Sequence, residues 1–313
     1  MSVIQILIYA AVLVFLVTNI TRFIRMASTP IHLRWELYPV AHDVKRFKYG
    51  GSFLEESDWY TKKLHKSMLG EIRVMLPEIF LLKGVWEYNR SLWLWSFTFH
   101  IGLYLLTALI FVLILGGIII GPNIFNVEAG YGSLSTIGQI IHSLSYAMLI
   151  AGCAIGTIGT LGLIIKRSTD REMSSSSSFG SYFNLFFIAA IFISGLVFLF
   201  SGSAVDKLIK CYYSLITFQP MPNLGAAFAV HAVISGLFIL YLPFTHMTHF
   251  FMKYFTYHKV RWEDTPNIRG SKLEKKIQEQ LSYPVTWSAP HINADGKKNW
   301  ADIATEEVKK DEK

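Results

Sequence analysis

The chain has 313 residues, of which 52% are hydrophobic and 15% aromatic, and its mean hydropathy is +0.38. Long apolar runs at this composition exclude an ordinary soluble domain and indicate an integral membrane protein. The formal net charge of +7 comes mostly from segments between and after those runs, so we interpret it as a signal of membrane orientation and not of nucleic-acid binding.

Five apolar runs are long enough to cross a bilayer as helices. Span 1 lacks a basic start and a small-residue cleavage site, so we expect it to be retained and not removed as a signal peptide. The sequence therefore predicts an all-α membrane protein, a bundle of five transmembrane helices. Spans 1 to 5 lie at about residues 3–25, 93–121, 135–165, 182–202 and 224–252.

The distribution of Lys and Arg predicts the orientation of the bundle. The insert at 26–92 has ten of these residues and the segment 253–313 has twelve. The connection between spans 2 and 3 has none, and that between spans 4 and 5 has only Lys207 and Lys210. The positive-inside rule then places the N-terminus outside and the C-terminus in the cytoplasm. We expect one membrane domain, residues 1–252, with a cytoplasmic insert at 26–92 and a cytoplasmic tail at 253–313.

Three shorter segments have a distinct character. Residues 68–91 are amphipathic and are expected to lie along the membrane before span 2. Residues 170–181 are rich in Ser and are typical of a flexible linker. Residues 204–218 predict a short amphipathic helix on the outer face.

The two cysteines, Cys153 and Cys211, limit the possible metal chemistry. They are too few and too far apart for an iron–sulfur cluster, a zinc ribbon or a CxxCH haem attachment. Any metal in this chain must therefore be held by histidine, and any iron–sulfur chemistry must come from a partner.

Five of the ten histidines lie in the apolar spans, where ionisable residues are rare and usually functional. His231 and His249 of span 5 are 18 residues apart, which is five turns of a helix and roughly 27 Å. That length is about one hydrocarbon thickness. We therefore expect one histidine near each membrane face. The five are His100, His142, His231, His246 and His249.

The depths of these histidines along their spans arrange them in two pairs. His100 and His249 fall toward the cytoplasmic side, and His142 and His231 fall toward the outer side. Two facing imidazoles on neighbouring helices are what an iron porphyrin needs as axial ligands, so we predict two haem b groups. His246 competes with His249, but it is rotated by about 60° from the face of His231, and we favour His249. A lone histidine in an apolar helix is more often just a hydrogen-bonded residue, and the pairing by depth is what favours haem.

Several segments resemble the respiratory nitrate reductase gamma-subunit family of membrane b cytochromes. The resemblance covers most of residues 93–252. The flanking segments HLRWELYPV and KVRWEDTPN resemble the branch of that family found beside heterodisulfide-reductase-like iron–sulfur proteins of sulfate reducers. The matching segments of the membrane domain are FHIGLYLL in span 2, LIIKR leaving span 3, KCYYSLITF before span 5 and HAVISGLFILYLPFTHMTHF in span 5.

The resemblance implies iron ligands at His100, His231 and His249. The fourth ligand of the family falls at Ile110, which cannot bind iron. Either the outer haem is absent or another histidine binds it, and we expect His142 to be that histidine.

The resemblance also implies a function. It suggests a cytochrome b subunit of a prokaryotic inner membrane, inactive alone, between the menaquinone pool and a cytoplasmic heterodisulfide-reductase-like iron–sulfur subunit. A periplasmic multihaem cytochrome c is a further candidate partner. The direction of electron flow stays open.

The quinone pocket is expected beside the outer haem, where acidic or hydroxyl groups could take the protons of a quinol. For Asp206 and Lys207 the alternative is a solvated face of the amphipathic helix. The candidates are Tyr104, Glu128, Ser143, Asp206, Lys207 and Tyr213.

Three other classes of function compete with this interpretation. The chain could be a haem-free anchor or scaffold for an iron–sulfur subunit. A transporter would usually show an internal repeat and broken helices at the midplane, and the sequence shows neither. A ferric or superoxide-type reductase would need a Gly-rich dinucleotide loop, which the tail lacks.

Overall fold

The described part of the chain is largely helical. The computed structural model describes residues 2–28, 38–63, 65–121, 134–250, 252–253, 255, 261–262, 266–289, 292 and 294–306. The helices are α1 (Val3–Ser28), α2 (Val44–Phe47), α3 (Met68–Phe80), α4 (Lys83–Tyr88), α5 (Arg90–Ile119), α6 (Thr136–Thr169), α7 (Arg171–Ser175), α8 (Phe179–Phe200), α9 (Ala204–Thr217), α10 (Ala226–Tyr241), α11 (Lys272–Leu281) and α12 (Trp300–Thr305). Short 3-10 helices lie at Phe53–Glu55, Trp59–Thr61, Leu242–Phe244 and His246–Thr248.

Five of these helical segments are long and apolar enough to cross a membrane, and each coincides with a predicted span. They are α1, α5, α6, α8 and the stretch Ala226–Phe244, which begins with α10. The prediction of an all-α membrane protein is therefore confirmed.

Residue contacts divide the chain into two compact units. The first comprises residues 1–19 and 76–250, and it contains the four helices α5, α6, α8 and α10 together with the start of α1. The second comprises residues 20–75 and 251–313. The histidines of the apolar spans all belong to the first unit.

Glycines let α5 and α6 approach each other closely within the first unit. A Cβ atom on Gly102 of α5 would lie 2.7 Å from the backbone nitrogen of Gly156 on α6. A Cβ on Gly159 would lie 2.6 Å from the Cα of Phe99. Small residues at such crossings allow backbones to make the van der Waals contacts that hold membrane helices together. This pairing fixes which residues of α5 and α6 stand at the same level.

Helix α8 also packs against α6 and runs antiparallel to it. The ring of Phe192 occupies the space that a side chain at Gly156 would need, and Cys153 occupies the space beside Gly195. Phe192 joins Phe99 in one buried apolar cluster, and Phe198, near the end of α8, belongs to a second cluster around Leu109 and Ile209.

Span 5 is not one continuous helix, and that part of the prediction is wrong. Helix α10 ends at Tyr241, and two 3-10 helices follow, separated by the extended residue Thr245. Pro243 accounts for the break, because proline has no N–H to donate and its ring clashes with the preceding turn. The arithmetic of five turns between His231 and His249 therefore does not apply.

The shorter segments follow the predictions in part. The amphipathic helix predicted at 204–218 is α9, which buries residues such as Val205 and Ile209. The predicted linker at 170–181 instead holds the short helix α7, because Asp170 accepts hydrogen bonds from the N–H groups of Glu172 and Met173 and caps it.

The second unit contains a small polar structure. Strands β1 (Tyr38–Pro39) and β2 (Arg261–Trp262) pair in parallel. The carboxylate of Glu56 bonds to the Lys62 ammonium and, at 2.5 Å, to the Arg46 guanidinium. These two hydrogen bonds lower the pKa of Glu56, and the bond from Lys62 has the larger effect.

The close approach of α5 and α6 predicts that Gly159→Ala destabilises the bundle. The added methyl group meets the Phe99 backbone, and overpacking of this kind costs about 1–3 kcal/mol. The free energy of unfolding in a mixed-detergent titration measures the loss. Gly180→Ala is the matched control, since a Cβ there lies 3.7 Å from its nearest neighbour, Ser178 Oγ. Equal stability of the two variants would contradict the packing described.

The Glu56 network predicts a dependence of local order on pH. A carboxylate whose pKa is lowered by folding stabilises the structure above its ordinary pKa, and this contribution is lost as the pH falls through the lowered value. We expect hydrogen exchange of residues 46–62 to accelerate below that pH. In Arg46→Gln the acceleration should begin at a higher pH, and identical profiles would argue against the network.

Candidate haem site

His100 and His249 lie side by side in the first unit. Their ring centroids are 6.3 Å apart and their planes are inclined by 67°. Two imidazoles that each bind one metal ion through a nitrogen at about 2 Å have centroids roughly 6 Å apart. The separation of these two rings therefore agrees with two imidazoles that would hold one metal ion between them.

Both rings turn the same nitrogen toward the backbone. Nδ1 of His100 donates to the carbonyl of Ser96 at 2.6 Å, and Nδ1 of His249 donates to the carbonyl of His246 at 3.3 Å. Histidines that bind a metal usually give their other N–H to an acceptor of this kind, which sets the tautomer and the orientation of the ring. Nε2 of each ring would then be the nitrogen through which His100 and His249 hold haem iron.

His246 contributes its backbone to this arrangement, and its side chain is exposed. The choice of His249 over His246 stays a prediction, which the ring contact with His100 supports. Sequence reasoning missed Ser96, although its position four residues before His100, one helical turn, was a usable signal.

His231 lies in a different environment, between α10 and α8. Its Nδ1 is 2.9 Å from Ser194 Oγ. Its ring is stacked on Phe198 at 5.9 Å between centroids and 8° between planes. A Cβ atom on Gly195 would lie 3.4 Å from His231 Cε1 and 2.6 Å from Cys153 Sγ. His231 and Cys153 therefore stand at the same level of the bundle.

His142 uses the opposite ring nitrogen from the other three. Its Nε2 lies 3.0 Å from Asp206 Oδ1, and the two side chains are 18% and 43% exposed. His100, His231 and His249 all anchor Nδ1. The hydrogen bond to Asp206 thus sets His142 apart from the other three histidines.

His142 and His231 also differ in level. Cys153, which stands beside His231, follows His142 by eleven residues on α6, a distance of roughly 16 Å along the helix axis. Two axial ligands of one iron must lie much closer than this. The prediction that His142 and His231 hold an outer haem stays a prediction, and the geometry gives it no support.

The candidate quinone residues fall in two places. Tyr104 lies beside the His100 and His249 pair, with its ring 6.1 Å from that of His100 and its hydroxyl donating to the Ile79 carbonyl at 2.6 Å. This position differs from the one predicted, beside His142 and His231, because Tyr104 is only one helical turn from His100.

Asp206, Lys207 and Tyr213 lie along α9. The Lys207 ammonium is 3.4 Å from Ser201 Oγ and 6.0 Å from the centre of the Phe198 ring. The Tyr213 ring packs against Gly121. Ser143 is exposed on α6, and Glu128 lies outside the described residues. Phe198 thus connects Lys207 to the ring of His231.

No group of three or more His, Cys, Asp or Glu side chains that could hold a metal ion occurs within the part of the chain that the structure describes. A porphyrin supplies four nitrogen ligands to its iron, so a haem needs only two protein side chains. Paired histidines are thus the type of donor set that a haem needs.

The nitrate reductase gamma subunit family matches residues 86–263 of the chain. This range contains α5 to α10 and every histidine discussed above, and it is more than half of the chain. No curated protein and no solved structure matches the chain. The branch linked to heterodisulfide-reductase-like proteins therefore has no support beyond the resemblance of the flanking segments.

The contact between His100 and His249 predicts which of the neighbouring histidines is required for haem. His249→Ala should lose one b haem, because it removes a ligand, whereas His246→Ala should keep it, because its carbonyl remains. A pyridine haemochrome assay per polypeptide counts the haem. Loss in His246→Ala with retention in His249→Ala would reverse the assignment.

Proposed function

Because the chain belongs to the nitrate reductase gamma subunit family, whose members are membrane cytochrome b electron-transfer subunits, we propose that it carries electrons between membrane quinol and an iron–sulfur partner. Haem b held by His100 and His249 is the centre of this proposal. The observation that carries it is the pair of rings 6.3 Å apart, each with Nδ1 bonded to a backbone carbonyl.

The residues around this pair have defined tasks in the proposal. The Ser96 carbonyl holds the His100 ring and makes its Nε2 more basic. The apolar cluster of Phe99 and Phe192 shields one side of the site from water, and exclusion of water favours the less charged state of a metal centre. A haem bound there would accept and give up one electron at a time.

His231 is our candidate ligand for a second haem b. Its ring is half-buried and held by Ser194 and Phe198, and its Nδ1 is engaged in the same way as in His100 and His249. The His142 ring bonds to Asp206 through Nε2, so we propose a different task for it.

We propose that His142 and Asp206 serve the quinol site. The pair combines a base and a carboxylate that are both partly exposed, as a group that passes protons from a quinol to water must be. Oxidation of one quinol to quinone would release two protons, one from each hydroxyl, which this pair would receive, and two electrons, which a bound haem b would take one at a time. Ser143 and Lys207 lie next to this pair in sequence and complete the proposed site.

The proposed partners follow from the resemblance and from charge. Basic segments at 26–92 and 253–313 support an N-terminus outside and a cytoplasmic side that meets a heterodisulfide-reductase-like iron–sulfur subunit. We propose a prokaryotic inner membrane, menaquinone as the quinone, a role in sulfate reduction and a periplasmic multihaem cytochrome c as a second partner.

A reduced-minus-oxidised spectrum of the purified protein tests the central proposal. We expect a b-type α band, and we expect a menaquinol analogue to produce it. An absent band in the wild-type protein would leave a haem-free anchor subunit as the better account.

The quinol site predicts a kinetic effect without loss of haem. Asp206→Asn removes the carboxylate beside His142, so reduction by the menaquinol analogue should slow by about 10²-fold or more, the contribution of a positioned proton acceptor. The dithionite-reduced spectrum should stay unchanged. Asp170→Asn, which removes a carboxylate bonded to Lys166 at the other end of α6, is the matched control. Equal rates in the two variants would argue against this site.

A further inference from the structure

We propose that a basic cavity in the second unit binds a phosphate group, carried by a phospholipid or by a soluble phosphate ester. The cavity has a volume of about 430 Å³, a size typical of ligand sites. Its lining residues all fall within 42–67, outside the range 86–263 that matches the family. Electron transfer through the membrane bundle therefore does not account for it, and the inference does not depend on haem.

The charge of the lining favours an anion. Four of the lining side chains are cationic at neutral pH, and only two are carboxylates. This excess of positive charge suits a phosphate monoester, which carries about −1.5 to −2 at pH 7. The cations are Lys45, Arg46, Lys62 and Lys63, and the carboxylates are Asp43 and Glu56.

Both carboxylates of the lining are already engaged. Glu56 bonds to the Arg46 guanidinium at 2.5 Å and to the Lys62 ammonium. Asp43 accepts hydrogen bonds from the backbone N–H groups of Lys45 and Arg46, at 3.0 Å and 3.3 Å. Arg46 and Lys62 thus neutralise Glu56, and Asp43 caps the turn that carries two of the cations.

Two lysines of the lining remain for a ligand. Within the part of the chain that the structure describes, neither Lys45 nor Lys63 takes part in an ion pair, and both side chains are exposed. An ammonium group offers three donors, and a phosphate group offers three strong acceptor oxygens. We therefore assign the direct contacts with phosphate to Lys45 and Lys63.

The walls of the cavity are held by contacts within the second unit. Besides the Glu56 network, the Phe53 ring packs edge to face on that of Trp59, with centroids 6.4 Å apart. His42 is buried in the lining, and its Nδ1 lies 3.7 Å from Glu71 Oε1. A site that is formed before its ligand arrives loses less conformational entropy on binding.

The two sources of the phosphate group differ in the apolar contacts that they would make. Ser67 lines the cavity and directly precedes α3. Met68 and Leu69, the first residues of that helix, are 76% and 80% exposed. A phospholipid would bring acyl chains to these two side chains, whereas a soluble ester would leave them in water.

Titration of the full-length protein in detergent with glycerol phosphate and with dioctanoyl phosphatidic acid tests the proposal, with binding followed by phosphorus NMR. We expect Lys45→Gln and Lys63→Gln each to weaken binding by about tenfold or more, the usual effect of losing a hydrogen bond to a charged group. Lys45→Arg and Lys63→Arg keep the charge and should bind like wild type. Lys48→Gln is the matched control, because Lys48 is exposed on the same segment and does not line the cavity.

The double variant Met68→Ser, Leu69→Ser distinguishes the two sources. Weaker binding of phosphatidic acid in this variant identifies a phospholipid, and unchanged binding identifies a soluble ester. Absence of saturable binding of both probes to the wild-type protein would overturn the proposal, as would equal losses in Lys48→Gln and Lys63→Gln. The haem content of all these variants should equal that of wild type, so a protein without haem that still binds the probes would reject only the proposed function.

Discussion

Each of four imidazoles makes a hydrogen bond through one ring nitrogen, and the choice of nitrogen organises the functional part of the bundle. An unpaired polar group in an apolar interior costs several kcal/mol by transfer estimates. Three histidines engage Nδ1, namely the partly buried His100 and His231 and the exposed His249. His142 engages Nε2 with Asp206. The choice of acceptor divides four histidines of similar sequence context into candidate iron ligands and a candidate proton carrier.

Close helix packing decides which of these histidines stand at the same level. Backbone approach at Gly102 and Gly159 sets α5 against α6, and the contact of Cys153 with Gly195 sets α6 against α8. His231 stands at the level of Cys153, because both side chains lie beside Gly195. His142 lies roughly 16 Å farther along α6, so one iron between His142 and His231 does not agree with this packing.

The interruption of span 5 likewise decides how His249 meets His100. After Tyr241 the chain forms two short 3-10 helices instead of continuing the helix. His249 can therefore lie 6.3 Å from His100 while its Nδ1 reaches the carbonyl of His246. A ligand on a short turn depends more on its neighbours for position than one inside a long helix, which gives the backbone acceptors a direct part in the site.

The sequence alone determined the membrane class, the five spans and the histidines worth considering, because hydropathy and residue type are properties of each segment by itself. It also carried the family resemblance over α5 to α10. The tertiary structure decided which rings meet, that Tyr104 belongs with His100, and that His142 bonds to Asp206. These depend on hydrogen-bond partners such as Ser194, which another helix supplies 37 residues away, and on a helix end at Tyr241 that hydropathy does not reveal. Ring orientation is set by contacts between helices, and no periodicity within one span encodes it.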